Sequence, residues 1–484
     1  MDPQTCSEQK KISLHDYGEF ATVYRGTGTV AIVDGAGEKT HSCTFETGQM
    51  TDGGIVLLCH DLPEGLSLFF RFGMLAKKFE GLTDDGYRIR SDQPKKSLLQ
   101  LGFLSKPENW LYDRNLAFKL TELVVGNIDE NCHDIHFGIC NLQFDDDVEK
   151  GDQIDHIILP IRNKETIELC IKKLNDYDKK IRQILIIGTI DVTCECILKL
   201  SNPEELNTII SLMDDICVLL SIKKGTKITW IYYDIKDRQG KTIFRKHASR
   251  VTKVYQPLDV LYFKKPHSFE TKKFLEDSYH PYMKYRDVFK LNHGVVDAYL
   301  DAKAESDYFE TRAGKVALAI EFLKNEYLES KGENSEYIYD RQIFGNFVFQ
   351  ISEAIAHTLK SQGMADQNKI QTVSDKRRIE GLNRRSFGSI LRQFIKEFEV
   401  SISPDELSLF IHCRDSLVHR GNFYCKTYRP EERQVCEPLP SILYEYFFMI
   451  NILDRIFLKI LGFDDNMIKI DWRNPSGEIK EWLS

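Results

Sequence analysis

Residues 410–422 read Phe-Ile-His-Cys-Arg-Asp-Ser-Leu-Val-His-Arg-Gly-Asn and close an amphipathic segment that begins at Pro404. Apolar residues recur in this segment at intervals of three and four, which is the spacing of one helix face. Gly421 follows the last periodic residue and supplies the left-handed conformation in which many helices end. The segment therefore predicts a helix over Pro404–His419.

Four further segments on either side of this helix show the same period. They are Tyr308–Ser330, Tyr339–Ser361, Ser386–Val400 and Pro440–Leu461. Their connections are short, which favours antiparallel neighbours, and only Gln367–Asn383 is expected to be a longer loop. The C-terminal part, residues 296–484, is therefore predicted to be an antiparallel α-helical bundle.

Residues 1–295 show a different pattern, in which short apolar runs are bounded by Gly, Asp or Pro. Such runs predict strands. The predicted strands include Ala21–Arg25, Thr29–Val33, Ile55–Cys59, Leu66–Phe72 and Ala117–Val124, and residues 228–245 are expected to form a hairpin that turns at Gly240. The N-terminal region is thus predicted to be β-rich and sandwich-like, with a division into two subdomains near 150–160 left open.

Two helices are expected to interrupt this β-rich region. Asn202 and Pro203 form a helix start signal, with an N-cap residue followed by proline, and the helix should run to about Leu220. A second helix is predicted over Lys164–Asp176. The fold class that follows is α+β.

Composition narrows the functional classes. The chain has 484 residues, is 42% hydrophobic and carries a formal net charge of −8, which is typical of a globular protein and excludes a collagen-like or disordered chain. Binding to nucleic acid therefore requires a local basic patch. Ser374–Lys396 holds seven basic residues against two acidic ones. This segment is equally compatible with phosphate binding through Arg377, Arg378, Arg384 and Arg385 and with a solvated loop.

No membrane-spanning run or signal peptide is recognisable, and the twelve scattered cysteines favour reduced thiols in the cytoplasm. Zinc accepts the residue types found at Cys132, His133, His136 and Cys140. The segment also alternates between polar and apolar residues as a half-buried strand does, and this strand is the favoured interpretation. An acidic loop at 145–152 is expected to be solvated, although such loops sometimes hold a cation. We therefore predict no metal and no cofactor.

Arg414-Asp415-Ser-Leu-Val-His419 resembles the motif of the HEPN superfamily of helical-bundle proteins, which places an Arg, a polar residue and then a His on inner helices. Within that superfamily the chain is most similar to the ApeA-like branch, which Tyr308–Arg312 and Ala317–Glu321 also resemble. The resemblance implies a metal-independent endoribonuclease of bacterial anti-phage, or abortive-infection, defence. It implies a homodimer in which the Arg and His of two chains line one cleft.

The resemblance assigns catalysis to Arg414 and His419, a supporting role to Asp415 and Asn422, and RNA contact to Arg420. A β-rich region that senses a phage-derived trigger would accompany the bundle. The alternative is a dimeric HEPN module without catalytic activity, whose β-rich region recognises a ligand or a phage component.

The chemistry of RNA cleavage is consistent with these residue types. RNA carries its own nucleophile, the 2′-hydroxyl, and a histidine can take up or deliver the protons near pH 7. An arginine fork can stabilise the charge that gathers on the phosphate oxygens. On a regular helix Arg414 and His419 lie about 140° apart, so they converge only if the helix ends between them or if two chains meet. The competing interpretation is a surface arginine and a helix-end histidine.

Overall fold

A computed structural model of the chain describes residues 14, 19–34, 37–51, 53–63, 75–92, 116–128, 132–143, 153–160, 166–187, 190–200, 202–250, 270–292, 294–304, 307–332, 337–381, 383–429 and 436–464. An antiparallel β-sheet precedes a helical region, which confirms the predicted α+β class. The chain divides into two compact units: a β unit of residues 1–257 with 265–276, and a helical unit of residues 258–264 with 277–484.

The β unit ends at Glu276, whereas the sequence predicted the boundary between the two units after residue 295. Residues before 296 belong to the helical unit because their aromatic side chains pack in its core. The ring of Phe289 lies 6.0 Å from that of Phe394, and both side chains are buried. Aromatic packing across distant segments leaves no local mark in the sequence, so the boundary could be placed only approximately.

The β unit is built from thirteen strands and two helices. The strands are β1 Phe20–Asp34, β2 Gly37–Met50, β3 Ile55–His60, β4 Leu75–Thr83, β5 Arg88–Asp92, β6 Leu116–Leu120, β7 Glu122–Gly126, β8 Cys132–Cys140, β9 Gln153–Pro160, β10 Thr166–Lys173, β11 Val192–Lys199, β12 Thr229–Asp237 and β13 Thr242–Ala248, and the helices are α1 Tyr177–Ile187 and α2 Leu206–Lys224. All described pairings are antiparallel, in the order β6-β3-β2-β1-β4-β5-β7-β13-β12-β8-β11-β10-β9.

The N-terminal half of this sheet curls on itself instead of forming a flat sandwich layer. Strands β6 and β7 stand first and seventh in the ladder, yet only Thr121 separates them along the chain. Phe118 of β6 and Leu123 of β7 share one buried cluster with Phe45 and Phe79. The ladder also continues across the division considered near 150–160, because β8 pairs with β11.

Most local predictions for the β unit agree with the structure. The predicted strands and hairpin coincide with β1, β3 and β12–β13. Ala117–Val124, predicted as one strand, is divided at Thr121 between β6 and β7, and Leu66–Phe72 lies outside the described residues. The side chain of Asn202 caps a short 3-10 turn that leads into α2. The helix predicted over Lys164–Asp176 is wrong: Leu169 and Ile171 alternate with more exposed residues, and this segment pairs as β10 between β9 and β11.

A buried polar network joins the first two strands of the β unit, β1 and β2, to its last two, β12 and β13. Gln49 of β2 donates from Nε2 to the carbonyls of Ile231 (2.8 Å) and Ala248 (3.1 Å), so its Oε1 is left to accept from Nδ1 of His247 (2.7 Å). The other ring nitrogen of His247 then accepts from the Tyr24 hydroxyl (3.0 Å). Burial, assisted by nearby Arg245, lowers the pKa of His247 to about 3, which keeps the ring neutral.

The helical unit contains ten described helices. They are α3 Glu270–Tyr285, which begins in the β unit, α4 Val295–Ala302, α5 Phe309–Ser330, α6 Arg341–Ser361, α7 Gln367–Val373, α8 Lys376–Gly381, α9 Phe387–Glu397, α10 Pro404–Arg420, α11 Tyr424–Thr427 and α12 Ile442–Ile460. The five helices predicted from the 3.6-residue period are confirmed. Helix α5 packs against α4, α9, α10 and α12, and α12 supplies a largely buried surface.

The loop predicted over Gln367–Asn383 is wrong, because it contains α7 and α8. Asp366 caps α7 by accepting from the backbone of Asn368 and Lys369. Ile370 and Ile379 are buried and anchor the two short helices. The segment carries too few apolar residues for a periodic signal, so its helices depend on capping and on these two anchors.

Candidate functional site

Arg414 lies on the part of α10 that faces α5, and its side chain is 13% exposed. Its guanidinium donates to the Glu321 carboxylate on α5 and to Oδ1 of Asp415 (2.7 Å). The same group lies over the ring of Phe387, 4.6 Å from its centroid, at the first residue of α9. The arginine is therefore held in a fixed orientation by two carboxylates and one aromatic face.

The immediate surroundings of Arg414 are electrically balanced. Glu321 accepts a second charged hydrogen bond from Nζ of Lys324 (2.7 Å), so two cations meet two carboxylates. Nε of Arg414 is nevertheless buried without a hydrogen-bond partner among the described residues. Buried donors are normally satisfied, so this guanidinium has an unused N–H within the single chain.

His419 lies in the last turn of α10 and is exposed. No hydrogen bond or ion pair of its ring is found within the described part of the chain. Asp415, which was expected to support catalysis, accepts a hydrogen bond from the Arg414 guanidinium instead. Because α10 is regular through Arg420, Arg414 and His419 remain about 140° apart, and one chain does not bring them together.

Asn422 and Arg420 hold the end of α10 to the following segment. Oγ of Ser416 donates to the Asn422 carbonyl (2.9 Å), and the Asn422 side chain accepts from the Phe423 amide (2.9 Å). Arg420 is exposed and reaches the Thr427 carbonyl (3.4 Å). The structure thus gives Asn422 a structural position in the turn after α10, and no described contact of its side chain involves Arg414.

A buried carboxylate fixes the turn that follows His419. Glu445 of α12 accepts from the backbone amides of Tyr424 (2.7 Å) and Cys425 (2.9 Å) at the start of α11. Burial, together with this carboxylate, raises the pKa of Cys425 to about 12 and keeps its thiol protonated. The end of α10 is therefore attached to the core by α11 and α12, which restricts where His419 can point.

The basic segment passes beside Arg414 at Phe387. Arg384 and Arg392 are exposed, and Arg385 donates to the Gln393 side chain. The backbone of Arg377 and Arg378 lies in α8, but their side chains are outside the described set. Phe387, which supports the Arg414 guanidinium, comes two residues after Arg385, so the chain itself connects the basic residues to the candidate site.

The Cys/His segment has the structure of a strand. His136 of β8 places Nδ1 3.0 Å from the Glu195 carboxylate on β11, while Cys132 and Cys140 are buried near the two ends of β8. Within the described residues, no group of three or more His, Cys, Asp or Glu side chains is arranged to hold a metal ion. The acidic loop at 145–152 lies outside those residues.

Sequence reasoning missed Glu321 as the partner of Arg414. The two residues are 93 positions apart, and a motif confined to α10 gives no indication of a carboxylate on α5. No family model matches the chain, and neither the curated proteins nor the solved structures contain a match. Among the described helices, none has the length and apolar character needed to span a membrane.

Proposed function

We propose that this protein is a metal-independent, HEPN-type endoribonuclease that acts in anti-phage defence. The observation that supports the proposal best is the position of Arg414, a partly buried guanidinium with an unused N–H beside Phe387 of the basic segment. In the proposed reaction the 2′-oxygen attacks phosphorus and the bond to the 5′-oxygen breaks. His419 takes or delivers the proton, and Arg414 binds the non-bridging oxygens of the transition state.

The proposal requires a homodimer, because one chain keeps Arg414 and His419 apart. Three apolar side chains near Arg414 are exposed and offer a face for a second copy: Leu318 and Phe322 of α5, and Val418, one turn after Arg414 on α10. A two-fold axis at this face would pair Arg414 of one chain with His419 of the other. The exposed position of His419 is consistent with contact across such an interface.

A dimeric binding module without catalytic activity is the second candidate. The pairing of Arg414 with Glu321 and Asp415 favours it, because a guanidinium that two carboxylates already neutralise binds phosphate less readily. In either case we propose that the β unit responds to a phage-derived component. The eleven described cysteines form no disulfide, which supports a cytoplasmic location.

Incubation of the purified protein with RNA in EDTA tests the proposed function. We expect cleavage to continue at an unchanged rate, since the proposed chemistry needs no ion, and the products should carry 2′,3′-cyclic phosphate and 5′-hydroxyl ends. Cleavage that stops in EDTA and returns with a divalent cation would instead indicate a metal-dependent nuclease. Absence of cleavage in both conditions, with RNA binding intact, would favour the binding module.

A further inference from the structure

Helix α6 presents an unusually apolar surface to solvent. Tyr339, just before the helix, is 64% exposed, and Ile343, Phe347 and Phe349 are 71%, 49% and 50% exposed. Among the described side chains of α6, only Val348 is buried. Ile343 and Phe347 are four residues apart and lie on one side of α6, whereas Phe349 lies on the opposite side. Large exposed aromatic and aliphatic groups that lie together usually mark a binding surface.

A cavity of about 570 Å³ lies beside these side chains. Its described lining combines aromatic and polar groups, among them Tyr337, Phe344, Glu380, Asn383 and Arg384. A mixture of ring faces with a few hydrogen-bonding groups is typical of a site for a flat polar ligand.

The wall of this cavity is held in place by hydrogen bonds. Asn383 is buried; its side chain donates to the Tyr339 carbonyl (2.9 Å) and accepts from the Tyr339 amide (2.8 Å), and its own carbonyl accepts from the Ile338 amide (2.7 Å). Tyr337 and Arg384 pair as a short antiparallel bridge. The cavity is therefore formed before any ligand arrives, which lowers the entropic cost of binding.

Positive charge lies at the cavity and on the Phe349 side of α6. Nζ of Lys376 lies over the ring of Phe349, 4.2 Å from its centroid. Arg384 is exposed at the cavity, and no carboxylate within the described residues forms an ion pair with it or with Lys376. Exposed aromatic rings and cations therefore occur on the same part of the helical unit, and single-stranded nucleic acids bind such a combination through base stacking and phosphate contacts.

We propose that Tyr339, Phe347, Arg384 and the cavity beside them form a platform for single-stranded RNA, with Lys376 at its edge. Unpaired bases stack on the rings, one base enters the cavity, and Lys376 and Arg384 bind phosphates. The strand then continues past Phe387 toward Arg414. This inference rests on the proposed function, because it identifies where the ribonuclease would hold its substrate, and it commits to RNA with unpaired bases.

The test measures RNA binding in the His419→Ala protein, so that cleavage does not interfere. Fluorescence anisotropy with a labelled single-stranded RNA and with its duplex would be compared for Tyr339→Ala/Phe347→Ala, for Arg384→Ala and for the control Lys360→Ala at the far end of α6. We expect the aromatic double variant to weaken single-strand binding at least about tenfold, because stacking contributes substantially for each base. Duplex binding should change little, and Arg384→Ala should reduce the salt dependence by about one phosphate contact.

Unchanged single-strand affinity in both variants would overturn the platform. Unchanged affinity with loss of self-association, measured by light scattering, would show that the surface binds a second copy instead. Thermal unfolding of each variant identifies a general folding defect, and Phe347→Leu, which keeps an apolar side chain but removes the ring, should then reproduce the loss of stacking. A protein that binds RNA on this platform but never cleaves it would refute the proposed catalysis and leave the platform standing.

Discussion

Replacing His419 with alanine is expected to reduce RNA cleavage by about 10²- to 10⁴-fold, the usual contribution of a positioned acid or base. The fold should be unaffected, because the His419 side chain is exposed and no hydrogen bond of it is found in the described part of the chain. A single-turnover cleavage assay gives the rate, and thermal unfolding confirms that stability is retained.

Matched variants separate catalysis from general effects. His357→Ala removes another exposed histidine, on α6, and should leave the cleavage rate unchanged. Arg414→Lys keeps the charge but removes the planar fork, so it should be nearly as impaired as His419→Ala. A wild-type rate for the His419→Ala protein would eliminate the histidine from the mechanism.

Replacing Asp454 with alanine is expected to destabilise the helical unit by about 3–5 kcal/mol. Oδ1 of Asp454 lies 2.8 Å from Nζ of Lys303, whose side chain is only 3% exposed, and accepts a hydrogen bond from the Tyr299 hydroxyl (2.6 Å). Loss of this carboxylate leaves a buried ammonium without its counter-charge. Urea unfolding followed by circular dichroism would show the lower midpoint.

The double variant Lys303→Met/Asp454→Leu provides the control. It removes both charges and keeps apolar volume, so it should recover much of the lost stability, since a buried ion pair replaced as a pair is often nearly neutral. A full loss of stability that persists in the double variant would show that packing around Asp454, not the unpaired Lys303 charge, causes the effect.

Local signals in the sequence were sufficient for the five long helices that were predicted in the bundle. Helix α10 begins at a capping box between Ser403 and Glu406 and ends at Gly421, which adopts a φ of 65°. Such start and stop residues act through hydrogen bonds to the next turn, so they can be recognised from a few positions. The periodic apolar residues of α12 similarly predicted a helix whose side chains are largely buried.

The parts that could not be predicted depend on contacts between distant segments. The pairing of Arg414 with Glu321 joins two helices, and the aromatic side chains beside the basic segment come from α6, not from the basic segment itself. The sheet pairing that makes Thr166–Lys173 a strand is supplied by β9 and β11. In each case the local structure or contact is determined by residues that are distant in the sequence, and a local sequence pattern gives no information about them.

A mixing experiment tests most directly whether Arg414 of one chain acts with His419 of another. Arg414→Ala and His419→Ala proteins, each inactive alone, would be unfolded together, refolded and assayed, with native mass spectrometry to verify mixed dimers. Random pairing makes half of the dimers mixed, each with one intact site, so cleavage should return to about a quarter of the wild-type rate. Mixed dimers that remain inactive would contradict the account.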